Sequence, residues 1–283
     1  MYKVGQVYRD LRSRLNPNDE YTKLLTYKGS NDKEFSSVNI YRGVKYLNFI
    51  DKKNYPFAAG FIFETSKTSK KSYNKSKGEF NNPWTDEFLD NSNIIRYWGD
   101  AKYHQTKKML DWGGCKKIEM AIDAIKRLNY IPPILHFTRI EKGKMLFNGI
   151  YGIKKISIKG YLDVEFNSIV QNYLIELKRL ETEMISMDWI HNKVSNFEFN
   201  TYPIYWQKYL TSLQFDPISL PNSEVSESFD IKPRRLGNEN LINEYIKNND
   251  FLGLFSYLKA EINSKKLNIS LNELRDLTIA YFA

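Results

Sequence analysis

The sequence predicts an α+β protein: a curved, partly closed β-sheet with flanking helices on its outside, followed by a mainly helical region. Three observations carry this. Stretches of alternating apolar and polar residues recur through the first two-thirds of the chain. One segment there, CKKIEMAIDAIKRLNY, spaces Ile118, Ala121, Ile122, Ile125 and Leu128 as one face of a helix. From Ser186 onward the pattern changes to helix and loop.

Taken in order, the opening segment to about Asn31 is polar and basic, with a helix expected over Val7 to Leu15 and ended by Asn16-Pro17. It is expected to pack as an outer flap. SSVNIYRGVKYLNFI alternates as a strand pair turned near Arg42-Gly43, and FAAGFIFET follows Tyr55-Pro56 as another strand. NIIRYWGD reads as the next. Gly113-Gly114 breaks the chain before the helix, and Pro132-Pro133 ends it. PILHFTRI, KMLFNGIYGIKKISIKGYLDVEF and NSIVQNYLIELKRLE are further strands, with a hairpin turn at Lys142-Gly143. MDWIHNKV and IYWQKYLTSL are helical, and the proline- and serine-bearing stretch from about 216 to 235 reads as a linker. NENLINEYIKNNDFLGLFSYLKAEINSKK and a last helix opened by the capping pattern Ser270 to Glu273 complete the chain. The expected division is a sheet-containing domain at 1–185 and a mainly helical region at 186–283.

Net charge is +9 over 283 residues, and it is unevenly spread. Residues 1–163 hold 30 Lys and Arg against 17 Asp and Glu, whereas 164–283 hold 12 against 16. The first part is therefore the one suited to a polyanion. A single cysteine, Cys115, excludes an internal disulfide framework and a thiolate zinc cluster, and three separated histidines (His104, His136, His191) argue against any zinc site. The N-terminus has no apolar signal core, and no stretch reaches the length of a membrane span, so a cytoplasmic protein without membrane contact is expected.

The densest chemistry lies between Ser66 and Lys102. A lysine-rich segment, SKTSKKSYNKSKG, sets Lys67, Lys70, Lys71, Lys75 and Lys77 ahead of Trp84, Asp86, Arg96, Tyr97, Trp98, Asp100 and Lys102. Cations beside aromatics and carboxylates are what a protein needs to hold phosphates and inspect an unstacked base. Trp84, Asp86, Tyr97, Trp98 and Asp100 are the candidates for a base pocket: an aromatic to stack on the base and a carboxylate to accept from the exocyclic amine of cytosine. Strand alternation sends Tyr97 and Trp98 to opposite faces, so one of them is expected in the core. The five lysines, Arg96, Lys102, Lys107 and Lys108 are the phosphate candidates; taken singly, each also fits a solvated basic face.

The order N-P-W-x-D, then R-Y-W-G-D-A-K, a helix, PPILHF and G-K-M-L-F-N-G, with QNYLIELKRLET and TYPIYWQKYL beyond, resembles the N-terminal recognition domain of modification-dependent restriction endonucleases of the AspBHI type. The resemblance runs from about Phe57 to Leu210. It implies an SRA-like fold and recognition, by base flipping, of double-stranded DNA carrying a modified base such as 5-methylcytosine. It also implies a nuclease domain or subunit as partner, in a restriction system serving antiviral defence.

Other classes remain open from the residues alone. Glu176-Leu177-Lys178 has the E-x-K form of a metal-dependent nuclease, with Asp163 upstream; a complete nuclease would use Mg²⁺, and otherwise no cofactor is expected. A surface strand of alternating charge explains the same residues more simply. An RNA-binding module or a defence scaffold fits the composition too, and homodimerisation through the C-terminal helices is left open.

Overall fold

The computed structural model describes residues 1–12, 16, 18–28, 34–36, 43–66, 86–101, 104–163, 168–221, 239–264 and 270–282. The predicted turn near Arg42, the lysine-rich segment, Trp84, Lys102 and most of the predicted linker lie outside these residues.

The main sheet is built from β2 (Val7–Arg9), β5 (Val44–Asn48), β6 (Ala58–Ser66), β7 (Glu87–Leu89), β8 (Ile94–Trp98), β9 (Ile134–Glu141), β10 (Lys144–Asp163) and β11 (Ser168–Arg179). Its order is β5-β6-β9-β10-β11-β8-β7, with β2 added on β10. Among the described strands only β6 and β9 run parallel, and the 16-residue helix α1 (Gly113–Leu128) lies between them in sequence, as a parallel crossover requires. The strand β10 is the spine: its first residues pair with β9 and β2, its remainder with β11. Short pairs complete the molecule, β1 (Tyr2–Lys3) with β12 (Met184–Ile185) and β3 (Thr26–Lys28) with β4 (Glu34–Ser36).

The helix expected over Val7 to Leu15 is replaced at its start by strand β2, with buried Tyr8 between exposed Val7 and Arg9. The segment VYR satisfies a period of two as well as a helical one, and pairing with Lys144 to Leu146 decides between them. The glycines read as a break before α1 are its first residues. The long C-terminal helical stretch is two helices, α4 (Glu239–Lys247) and α5 (Phe251–Ser264), parted where Asn249 takes a left-handed φ of 54°. The last helix, α6 (Leu271–Phe282), packs with them around Leu254, Leu258, Ile262 and Leu274.

Side chains alternate across the sheet and build two cores. The inner one joins Phe61 and Phe63 of β6, Ile95 and Tyr97 of β8, Tyr151, Ile153 and Ile156 of β10, and Tyr173, Ile175 and Leu177 of β11. Helix α1 adds Cys115, Ile118, Ala121 and Ile122. The outer core sets Ile62, Leu135, Phe137 and Phe147 against Trp189 and Ile190 of α2 (Asp188–Ser195) and Trp206 and Tyr209 of α3 (Ile204–Ser212).

The α3 contact depends on a bare backbone. Tyr209 donates its hydroxyl to the Ile153 carbonyl at 2.8 Å, and its ring lies where a Cβ on Gly152 would be 2.3 Å away. The tyrosine is buried and hydrogen-bonded, so it cannot move aside. Gly152→Ala is expected to lower stability by about 1–3 kcal/mol, measured as a reduced urea midpoint at unchanged slope.

A candidate base-recognition site at the open seam of the sheet

The sheet curls until β6 faces β8 and β7 across its interior, and side chains bridge the remaining gap. The rings of Phe63 and Tyr97 lie 4.4 Å apart, and the Tyr97 hydroxyl donates to the Glu64 carbonyl at 3.3 Å. One residue further along β6, the Thr65 hydroxyl donates to Asp86 Oδ2 at 2.7 Å. Asp86 stands just before β7, so this bond joins the two described ends of the lysine-rich segment.

Asp86 sits at the head of a polar chain inside an otherwise apolar interior. Its Oδ1 accepts the backbone N–H of Trp98 at 3.0 Å. Thr65 Oγ1 lies 3.1 Å from Nε2 of His136, and Nδ1 of that histidine lies 2.7 Å from the Asn148 side-chain nitrogen. The same nitrogen is 2.7 Å from Thr138 Oγ1. Asn148 reaches inward because the β9–β10 pairing is bulged between Phe147 and Gly149, where Gly149 adopts a φ of 120°. Burial pushes the Asp86 carboxyl up to about 6, against the pull of the Trp98 and Thr65 hydrogen bonds. Burial drives His136 down to about 3, so its ring is neutral. A neutral ring has one donor and one acceptor nitrogen.

The other predicted pocket residues are divided by the fold. Tyr97 is buried in the inner core, with its ring on Phe63 and its hydroxyl on β6. Trp98, its neighbour on β8, faces the opposite side of the sheet and is partly exposed. Asp100 Oδ1 accepts the N–H groups of Gly114 at 2.8 Å and Cys115 at 3.0 Å, so this carboxylate caps the start of α1. A Cβ on Gly114 would stand 2.7 Å from that carboxylate oxygen, hence glycine at this position. Cys115 is buried, its Sγ 3.1 Å from Asn172 Oδ1, and burial pushes its thiol up to about 11. A thiol in that state is no nucleophile.

Among the phosphate candidates, Arg96 lies 3.4 Å from both Glu87 and Glu176, so its charge is shared with two carboxylates. Lys107 and Lys108 are exposed on the turn before α1, Lys107 stacking over Trp112 at 5.1 Å. Lys67, Lys70, Lys71, Lys75, Lys77, Lys102 and Trp84 lie outside the described residues.

The nuclease arrangement does not assemble. Asp163 pairs with Ser168 at the hairpin end, whereas Glu176 pairs with Lys155 eight residues along β11, about 26 Å away at strand rise. Glu176 is tied to Lys154 at 3.0 Å and to Arg96; burial works against its ionisation, and these two cations outweigh it and hold its carboxyl below the usual range. Lys178 is exposed. Among the described residues, no group of three or more His, Cys, Asp and Glu is placed to hold a metal ion.

On the other face of the same strands, Glu64 contacts both Lys45 and Tyr21, and Lys45 Nζ lies 3.1 Å from the Tyr21 hydroxyl. Arg139 bonds Asp10 at 2.8 Å. Burial brings Lys45 down to about 7, with Asp10 opposing it. This network holds the N-terminal segment on the sheet. Sequence reasoning missed Lys45, Glu64, Thr65 and Asn148 as partners in buried polar networks. The signal available was polar residues inside apolar strands, which must find partners when buried.

The curled, unclosed sheet with helices packed on it defines the class: an α+β, SRA-like fold. The family profile described as "Restriction endonuclease AspBHI N-terminal" matches residues 2–221, and the chain belongs to this family. A solved structure described as MspJI restriction endonuclease in complex with a 27-mer oligonucleotide matches with a TM-score of 0.57 at 16% identity, covering 93% of this chain and 66% of that one. The modification-dependent endonuclease AspBHI gives a TM-score of 0.49 at 17% identity, covering 74% of this chain and 90% of that one. The DNA recognition domain of the cytosine modification-dependent enzyme LpnPI gives 0.48 at 15%, covering 74% and 88%. Among curated proteins, no significant sequence match was found. No described helix is long and apolar enough to cross a membrane.

The Asp100 cap is separable from the Asp86 chain. Asp100→Ala is expected to cost about 0.5–2 kcal/mol of stability by orphaning two N–H groups, and Asp100→Asn to recover most of it, measured by thermal unfolding of the two variants.

Proposed function

We propose that the chain recognises double-stranded DNA carrying a modified base, specifically a methylated cytosine, and acts in the cytoplasm as the targeting part of a restriction system whose cutting is supplied by a nuclease domain or subunit. Membership of the AspBHI N-terminal family supports the restriction role. The observation that carries the base reading is Asp86: a carboxylate with both oxygens fixed by donors, set in the seam of the sheet and following the basic segment in sequence.

An extruded cytosine presents an amino group that a carboxylate can accept, and each carboxylate oxygen keeps a further lone pair for it. Extrusion costs a few kcal/mol of stacking and pairing. A hydrogen bond to a charged group returns about 1.5–3 kcal/mol, and stacking on an aromatic about 1–3 kcal/mol. The two together offset the cost. Tyr97 is engaged with Phe63, so the stacking role falls to Trp84, two residues before Asp86. Lys107, Lys108 and the lysines of the 67–77 segment hold phosphates without reading sequence. The separation of Asp163 from Glu176 disfavours cutting by this chain through those residues.

Fluorescence anisotropy at fixed salt, with matched duplexes that are unmodified, methylated, hydroxymethylated or phosphorothioated, is expected to rank the methylated duplex tightest. Equal affinity for all four would reduce the activity to nonspecific polyanion binding. Because the acceptor form of Asp86 is the ionised one and its carboxyl titrates at about 6, affinity for the methylated duplex is expected to fall about tenfold per unit as pH drops below 6. Asp86→Asn is expected to weaken binding of the methylated duplex and to abolish that pH dependence, while leaving the salt slope intact. Lys45, at about 7, also titrates in this range, and the Asp86 variant separates the two contributions.

A further inference from the structure

We propose that Thr65 and His136 are positioning residues that fix Asp86 as a hydrogen-bond acceptor, so that the site admits a base bearing an amino group and refuses one bearing a carbonyl in the same place. The inference rests on the reading of Asp86 as the base contact. It adds what decides which bases that contact tolerates.

The polarity of the chain is set from its far end. The Asn148 side-chain nitrogen is a donor, and it faces His136 Nδ1 at 2.7 Å and Thr138 Oγ1 at 2.7 Å. Nδ1 therefore accepts, and the single proton of the neutral ring sits on Nε2. That nitrogen donates to Thr65 Oγ1 at 3.1 Å, which commits the threonine hydroxyl to donate onward to Asp86 Oδ2 at 2.7 Å. The Trp98 N–H donates to the other oxygen. Every fixed hydrogen in the chain points towards the carboxylate, and none points from it towards an incoming base. Phe88, edge-on to the imidazole at 5.6 Å, helps keep that ring in place.

Thymine tests this arrangement directly, because it carries the same methyl group as 5-methylcytosine but a carbonyl where cytosine has its amine. A carbonyl oxygen facing a carboxylate oxygen pairs two acceptors, with no proton between them. The groups facing Asp86 from neighbouring elements are Thr65 on β6, Glu87 on β7, Tyr97 on β8 and, through Thr65, His136 on β9. Glu87 raises the Asp86 carboxyl and the Thr65 bond lowers it, in addition to the larger effect of burial.

The experiment compares duplexes with 5-methylcytosine or thymine opposite the same guanine. The thymine mispair opens more easily, so any preference for methylcytosine is chemical. The wild type is expected to favour methylcytosine by about ten- to a hundredfold. Thr65→Val is expected to lose most of that preference and to move the pH midpoint of methylcytosine binding upward, with Thr65→Ser restoring both. Imidazole ¹⁵N shifts of the wild type are expected to show His136 as the Nε2–H tautomer from pH 5 to 8, a measurement independent of how any variant folds. An Nδ1–H tautomer overturns the proposal, as does a Thr65→Val protein that keeps the preference and midpoint of the wild type. If Asp86→Asn binds methylcytosine as tightly as the wild type, the base-contact reading itself fails, and the positioning role fails with it.

Discussion

The Thr65 hydroxyl and the Asp86 carboxylate meet at 2.7 Å across the gap that the described strands leave between β6 and the β7–β8 edge. The described strands do not close that gap with backbone bonds, because β5 and β7 end their hydrogen-bonded order at opposite edges. Side chains must close it, and polar side chains closing an apolar interior need partners of their own. That requirement recruits His136 from β9 and Asn148 from the bulge in β10, two strands away in the sheet order. Position follows from the same constraint. The lysine-rich segment leaves β6 and re-enters at Asp86, so the bond that closes the sheet also fixes both described ends of the most basic stretch of the chain.

Strand β6 does this with residues of opposite character on adjacent positions. Glu64 faces outward into the Lys45 and Tyr21 contacts, and Thr65 faces inward to Asp86. A shift of one residue in the β6–β9 register would exchange them and place a carboxylate in the apolar interior. The outer network is fully paired and ties the N-terminal segment in place. The inner one ends on a carboxylate that retains lone pairs and partial exposure. Two buried polar clusters of similar composition therefore have different capacities: one is closed on itself, the other can take one more donor.

Much of the fold was legible because its signals are local. Strands β6, β8, β9, β10 and β11, helix α1 and the Gly143 turn, at a φ of 78°, follow from alternation, helical spacing and glycine placement within short windows. The start of the chain was misread because VYR carries both periods and the deciding partner lies near residue 145. The site was legible in its residue types and not in its roles. Asp86 and Asp100 look alike in sequence, each a carboxylate beside aromatics. Asp100 turns out to cap α1 through Gly114 and Cys115, while Asp86 meets Thr65, 21 residues back, and through it His136, 71 residues beyond Thr65. Arg96 looked free for phosphate and is flanked by Glu87 and Glu176, a pairing that only the β7-β8-β11 register reveals.

The energetic position of Asp86 separates it from the other acidic residues of the domain. Asp10 is paired with Arg139 at 2.8 Å, Asp19 accepts from the backbone of Leu11 and Thr22, and Asp100 is fixed by a helix start, so each of these carboxylates is stabilised where it stands. Asp86 has a threonine hydroxyl and one backbone N–H, no cation paired with it among the described ion pairs, and a carboxyl that burial holds at about 6. At neutral pH its ionised form works against folding, because the folded state binds the proton more tightly than the unfolded chain does. A residue that only filled this space would serve better as an uncharged one. A carboxylate held ionised at a cost, with its neighbours' hydrogens all directed at it, is an acceptor prepared for a donor that arrives from outside the protein.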